Sequence, residues 1–281
     1  MLTVAPQPSA SADGVDSPDP ARRFGGLDRL YGVPGAARIR AAHVLVVGIG
    51  GVGSWTAEAL ARSGVRALTL IDLDHIAESN INRQIHALDT TVGQAKVEAM
   101  RERIAHIHPQ CQVQAIDEFV EPDNWLHLLA QAEKSAGPVD AVIDACDQMR
   151  AKLALAVWAR AQRQALFISV GAAGGKRLAH QVDIDDLSAT THDPLLAQLR
   201  QRLRKHHGAP RDGKKIGVQC VFSRETVAPP DASCQIEGAD GSLNCHGYGS
   251  VVSVTATFGQ CAAGWVLDRL ARDQKPAFNA L

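Results

Sequence analysis

The sequence predicts an α/β fold with a mostly parallel sheet and helices on both faces. Three observations predict it. Short apolar runs at Val44–Val47, Ala67–Ile71, Val139–Ala145 and Ala165–Val170 alternate with helical stretches, which is the pattern of βαβ units. Gly48, Gly50 and Gly53, with an extra Gly51, form G-x-G-x-x-G between the first run and the helix after it. Asp72 closes the second run, nineteen residues past Gly53, where an acid can accept from ribose hydroxyls. The glycines let the backbone turn sharply and approach phosphates, and the helix N-terminus behind them presents unpaired N–H groups. His43 to Asp72 therefore reads as a Rossmann-like nucleotide site, without saying which nucleotide.

The elements follow in order. Residues 1–21 are rich in Pro, Ser, Ala and Asp and are expected to be a disordered tail. Residues 22–281 are expected to form one domain: a nucleotide-binding half over 22–185, a substrate-facing insert over 186–248 and an interface helix over 249–281. Arg22, Arg23 and Arg29 read as a solvated face or as a phosphate contact. A short helix from about Pro34 to Ala42 leads into the first strand, and Val52–Ser63 forms the next helix, ended by Gly64. After Asp72 comes a stretch too polar for a core strand, carrying Asp74, Asn80, Asn82, Arg83 and Gln84. Thr90 or Thr91 can cap a helix from about Val92 to His106, whose Val97, Met100, Ile104 and Ile107 make an apolar stripe. Lys96 in its first turn opposes the helix dipole, so it is either an exposed lysine or a cation with a task. Gln112–Ile116 alternates like a strand, Pro122–Ala132 is a short helix, and Met149–Gln164 a longer one. Asp147 follows the Val139–Ala145 strand, so Asp72 and Asp147 can face one crevice at the strands' carboxyl ends.

Beyond Val170 the pattern loosens. Gly171–Gly175 is a turn, Leu178–Ile184 and Val218–Phe222 read as strands, and Leu195–Lys205 as a helix started by Asp193-Pro194. Arg200–Lys215 holds seven Lys or Arg, two His and one Asp. That is a solvated helix and loop, or an electrostatic footprint for RNA phosphates. Gly249–Leu267 carries no charge over nineteen residues, but Ser250, Ser253, Thr255, Thr257 and Gln260 dilute it. A buried or interface helix to about Arg272 is expected rather than a membrane span.

Composition narrows the class. The chain has 281 residues, 46% hydrophobic, so it can bury a sizeable core, and a net charge of −1 gives no global field for nucleic acid. Six cysteines without any C-x-x-C argue against a structural zinc site and a thioredoxin-type pair. The first twenty-one residues hold no Lys or Arg and no apolar core, so no secretory leader is expected, and reduced thiols in a cytosolic protein are.

At Arg83 a larger pattern becomes visible. GIGGVGSW, LIDLD, SNINRQIHA, GQAKVE and DACD resemble the ubiquitin-activating-type (ThiF/MoeB-like) adenylating enzymes over about residues 24–185. RFGGLDRLYG, NRQIHAL, GVQCVFSRE and GYGSVVSVTATFG are similar to the tRNA threonylcarbamoyladenosine dehydratases among them, over about 24–268. The resemblance implies that Gly48, Gly50, Gly51 and Gly53 cradle ATP and that Asp72 holds the ribose, with Asp74 beside it. Asn80, Arg83 and Gln84 would meet the phosphates, Lys96 would neutralise the triphosphate, and Asp147 would orient Mg²⁺. Gln148 stands where many relatives have Asn, so it is given no role.

The residue types suit adenylation, which joins a carboxylate to the α-phosphate of ATP and needs fixed cations more than reactive side chains. Hydride transfer would not need Arg83, Lys96 and Asp147 around a triphosphate, which sets a nicotinamide dehydrogenase aside. For the dehydratases the resemblance implies a tRNA substrate carrying threonylcarbamoyladenosine, and family members are expected to be homodimers. Arg200, Arg204, Lys214 and Lys215 are the candidate RNA contacts. Two other readings stay open: an activator of a ubiquitin-like sulfur-carrier protein, which usually carries the missing C-x-x-C, and a non-catalytic nucleotide-binding scaffold. Cys220, Cys234 and Cys245 lie in the half of the chain where activators place an acceptor thiol. Cys245, beside His246, is the best candidate, and the same features could dock a sulfur-relay protein. Cys111 and Cys261 read as packing residues.

Overall fold

The computed structural model describes residues 19–162, 164–211, 213–231, 233 and 248–272. Seven strands form one sheet in the order β3-β2-β1-β4-β5-β7-β6. They are β1 His43–Val47, β2 Ala67–Ile71, β3 Gln112–Ile116, β4 Ala141–Asp144, β5 Leu166–Val170, β6 Val182–Asp186 and β7 Gln219–Ser223. All neighbouring pairs are parallel except β6 with β7. Strand order reverses between β1 and β4, and ligands of such sheets bind in the crevice outside the carboxyl ends there. The strands of the C-terminal extension therefore widen this sheet rather than build a second one.

The helices are α1 Pro20–Ala41, α2 Gly53–Arg62, α3 Lys96–Ile107, α4 Trp125–Ala136, α5 Met149–Ala161, α6 Pro194–His206 and α7 Val252–Ala271. Period-2 side-chain alternation sorts the strands between two cores. Val44, Val46, Leu68, Leu70 and Ile143 face a core shared with residues of α1, α2, α3 and α7. Leu45, Val47, Ile71 and Val142 face the other, filled by residues of α4, α5 and α6.

Three boundaries differ most from the sequence reading. Asp19 caps α1, accepting from Ala21 N at 2.8 Å, so residues 19–21 belong to a helix that runs on, kinked at Gly32, to Ala41. The tail expected over 1–18 lies outside the described residues. Helix α3 starts at Lys96 because Thr91 closes a turn instead, its Oγ1 accepting from Leu88 N and donating to His86 O. Strand β6 begins at Val182, after a short 3-10 turn over Ala179–Gln181.

The uncharged C-terminal stretch forms α7, but that helix is not apolar throughout. Val254, Thr255, Phe258, Gly259, Ala262, Ala263, Val266 and Leu267 make one buried stripe, while Ser253 and Gln260 are exposed. A Cβ on Gly259 would stand 2.6 Å from Val52 O and 2.9 Å from Trp55 Cβ, so α7 lies directly against α2. Among the described residues, no helix is long and apolar enough to cross a membrane.

Candidate active site

The crevice at the switch point is built first by the glycine turn. Gly48 N donates to Ile71 O at 2.8 Å, and Gly48 has φ 84°, in the left-handed region. A Cβ on Gly53 would fall 1.7 Å from Gly48 O, so the helix start can close on the turn only with glycine there. Asp72 fixes the turn from the side. Its Oδ2 accepts from Ile49 N at 2.6 Å and its Oδ1 from Asp74 N at 2.8 Å. Burial raises the Asp72 carboxyl above the ordinary carboxylate range, opposed by the Lys96 charge and these two N–H donors.

The polar stretch after β2 supplies the cations. Lys96 opens α3, only 6% exposed, with Nζ 2.7 Å from Asp74 Oδ2. Arg83 is 7% exposed, and its Nη1 donates to Ser79 O and Asn82 Oδ1. Its backbone oxygen accepts from Trp55 Nε1 of α2 at 3.0 Å and Thr255 Oγ1 of α7 at 3.2 Å. Helices distant in sequence thus fix the backbone at Arg83, while Ser79 and Asn82 hold its guanidinium. Asn80 O accepts from both Arg83 N and Gln84 N, a turn that turns both residues inward.

Gly48, Gly50, Gly51, Asp72, Asp74, Asn80, Arg83, Gln84, Lys96 and Asp147 all line this one crevice, and Gly53 lies beneath it. The lining also includes residues to which the sequence reading gave no role: Glu118, Phe119, Cys146, Gln148, Thr255 and the loop Gly171–Gly174. The first two follow β3, a strand end the G-x-G-x-x-G signal does not mark. The chemistry is that of an anion site, in which two cations and a helix N-terminus meet Asp72, Asp74, Glu118 and Asp147 in one crevice.

For Mg²⁺ the donor set fits a phosphate-borne ion rather than a protein cage. Among the described residues there is no group of three or more His, Cys, Asp or Glu suited to a metal. Asp147 is an exposed carboxylate in the crevice, and Gln84 Oε1 is buried without a hydrogen-bond partner. One carboxylate, water and phosphate oxygens are what Mg²⁺ takes in such sites.

Behind the turn, His86 is 2% exposed, and neither ring nitrogen has a hydrogen-bond partner. Burial, helped by the Lys96 and Arg103 charges, pulls its pKa down to about 4. A depressed folded-state value means the neutral ring stabilises the fold above the unfolded pKa near 6.5, and that stability is lost as pH falls toward 4. From pH 7 to pH 5 this amounts to about 2 kcal/mol. Urea unfolding of His86→Leu is expected to lack this part of the wild-type acid sensitivity; equal pH slopes in both proteins would refute it.

The basic stretch divides. Arg200 Nη1 donates to Leu187 O, Thr190 O and Thr190 Oγ1, and Arg204 Nε donates to Pro210 O. Those two candidate RNA contacts are engaged within the chain, whereas Lys205, Arg211, Lys214 and Lys215 are exposed. Among the cysteines, Cys220 is fully buried in β7, and burial pushes its thiol well up, so it is unsuited to accept an acyl group. Burial also pushes Cys111 up to about 12, in keeping with a packing role. Cys234 and Cys245 lie outside the described residues.

Fold and crevice together define a Rossmann-like nucleotide-binding protein. A family model described as the ThiF family matches residues 26–280. A tRNA threonylcarbamoyladenosine dehydratase of Escherichia coli is 44% identical over 89% of this chain and 93% of its own length. The Bacillus subtilis dehydratase is 40% identical over 73% and 75%. The crystal structure of the E. coli dehydratase TcdA in complex with ATP superposes with a TM-score of 0.78 at 43% identity, covering 90% of this chain and 95% of that one. The chain belongs to the ThiF family, in its branch of tRNA threonylcarbamoyladenosine dehydratases.

Proposed function

We propose that this chain dehydrates threonylcarbamoyladenosine at position 37 of tRNA, using ATP. The carrying observation is the convergence of Arg83, Lys96 and Asp147 on the glycine turn at the switch point. The E. coli relative, solved with ATP and with AMP, supports ATP as the co-substrate. The turn and the N-terminus of α2 hold the phosphates. Arg83 and Lys96 neutralise charge as the threonine carboxylate joins the α-phosphate and pyrophosphate leaves. Asp147 and Gln84 would hold Mg²⁺, which supplies further neutralisation of the phosphates when bound. A nitrogen of the same modification then attacks the acyl carbonyl, AMP departs, a five-membered ring closes, and the net loss is one water. The internal nucleophile removes any need for a protein thiol, in keeping with the burial of Cys220.

Residues 22–185 form the ATP half in this reading, and the exposed residues of α6 and the segment after it face the tRNA. The exposed lysines of the Lys205–Lys215 segment are the phosphate contacts, and a homodimer is the working form. Val251 and Val252, exposed at the start of α7, suit such an interface. Neutralising Lys214 and Lys215 together is expected to weaken tRNA binding and to lower the slope of log affinity against log salt by about 1–2. An unchanged slope would remove that footprint.

AMP release from labelled ATP tests the function. It is expected with tRNA bearing threonylcarbamoyladenosine, whose nucleoside then becomes lighter by one water, and not with the unmodified tRNA. Release driven only by a ubiquitin-like sulfur carrier would instead establish carrier adenylation.

A further inference from the structure

Under the crevice lies a buried ionic group to which the chemistry above gives no part. Lys152, on α5, is fully buried, and its ammonium donates to Asp144 Oδ2 at 2.7 Å, Val170 O at 2.9 Å and Ser169 Oγ at 3.2 Å. Asp144 ends β4 and is also fully buried. Its Oδ2 accepts a second bond, from Ser169 Oγ at 2.6 Å, and its Oδ1 accepts from Cys146 Sγ at 3.0 Å and Cys146 N at 3.3 Å. All three ammonium protons and both carboxylate oxygens have partners. Burial opposes the Lys152 charge, but the Asp144 carboxylate against it holds the ammonium above its ordinary range.

The position of this group is informative. The β4–β5 ladder ends at the pair Asp144 and Ser169. Past it the strands part into two crevice walls, Cys146–Gln148 and Gly171–Gly174. The network sits at the fork and ties both: Asp144 holds Cys146, and Lys152 holds Val170, next to Gly171. The second wall is pinned further on, where Ala172 N donates to Asp193 Oδ2 at 2.9 Å. Lys176 Nζ donates to His192 O at 3.0 Å and Glu225 O at 2.8 Å. Replacing a buried ion pair by apolar residues of similar size is often neutral in stability, so a buried pair by itself is weak ground for a purely stabilising role.

We propose, resting on the adenylating reading of this crevice, that Asp144, Lys152 and Ser169 are positioning residues: they set the spacing of the two walls, and so the approach of the substrate carboxylate to ATP, while the glycine turn binds ATP without them.

The test uses the full chain with two variants, Ser169→Ala and the double substitution Asp144→Leu/Lys152→Met. Four readouts are taken: thermal unfolding, ATP affinity without tRNA, kcat for AMP formation on the modified tRNA, and amide hydrogen exchange. Ser169→Ala is expected to lower kcat by about three- to tenfold and the double variant by about thirtyfold or more, with ATP affinity within about twofold of wild type. Amides of 145–148 and 171–174 should exchange faster in both variants, and those of 48–53 as in wild type. The proposal is overturned if both variants keep wild-type kcat and exchange. It is equally overturned if the double variant loses melting temperature and rate together while Ser169→Ala is silent, because the group is then merely structural. Wild-type protein that forms no AMP with modified tRNA would refute the adenylating reading instead, and the exchange data would still decide the role of the network.

Discussion

Lys96→Ala is expected to reduce AMP formation by about 10²–10³-fold, and Arg83→Ala by at least as much, with the fold retained. The two cations act differently. Lys96 Nζ is held 2.7 Å from Asp74 Oδ2, and the Asp74 side chain is 54% exposed, so removing the amine leaves a carboxylate that water can solvate. The melting temperature should therefore barely move, and the rate loss reports catalysis. Arg83 is held at both ends: its guanidinium by Ser79 O and Asn82 Oδ1, its carbonyl by Trp55 and Thr255. Truncating the side chain leaves the carbonyl bonds intact, so the backbone path of the turn survives. Arg83→Lys keeps the charge but loses the planar fork, and should recover only part of the rate. Combining Arg83→Ala with Lys96→Ala should cost less than the product of the single effects, since in the proposed reaction both cations neutralise one triphosphate. Single-turnover AMP formation measures all four variants. Near-wild-type rates from both single alanines would show that the crevice is not where the α-phosphate reacts.

The parallel sheet was legible because its central strands are buried on both faces and therefore read as uninterrupted apolar runs, as in Val44–Val47 and Ala141–Ile143. The site was legible at Gly48, Asp72 and Asp147, which follow the ends of β1, β2 and β4 around the glycine turn, but not at Glu118, Phe119 or Gly171–Gly174, which follow the ends of β3 and β5 without any such signal. It was hidden where a side chain's reason lies far away in sequence. Lys152 reads as an ordinary helix lysine, and its partner Asp144 as a residue within the Val139–Ala145 strand; only the fold brings them to 2.7 Å. Thr255 looked like a polar dilution of an apolar stretch, yet it holds the Arg83 carbonyl from 172 residues away. Arg200 carried the composition of an RNA contact, but its carbonyl acceptors at Leu187 and Thr190 come from the loop before α6, and charge counting cannot see them. Charge and spacing thus located the nucleotide half, while the positioning of its parts depends on long-range hydrogen bonds with no local pattern.

Gly53→Ala should abolish ATP binding and destabilise the protein as well, whereas Gly50→Ala should weaken binding alone. The contrast follows from two neighbouring glycines with different surroundings. A methyl at 53 would overlap Gly48 O at 1.7 Å, and Gly48 cannot retreat, because its own N–H is fixed to Ile71 O and its Cα already faces the Cys146 backbone. Relief requires moving the turn off the end of β1 or lifting α2 from the sheet, and forced overpacking of this kind typically costs about 1–3 kcal/mol or more. In a domain of this size that lowers the melting temperature by roughly 2–4 °C per kcal/mol. The same shift scatters the N–H groups that the proposed site turns toward the phosphates, so ATP affinity should fall by about 100-fold or more. At Gly50 nothing lies within 4 Å of the added methyl, and the residue lines the crevice. The fold has no reason to change there, but in the proposed site the methyl stands where the phosphates would approach the backbone. Melting curves with and without ATP separate the two cases. Gly50→Ala should melt like wild type but show a smaller upward shift with ATP, while Gly53→Ala should melt lower and show none. A Gly53→Ala protein that gained the full ATP-dependent shift would mean that the turn does not hold the phosphates.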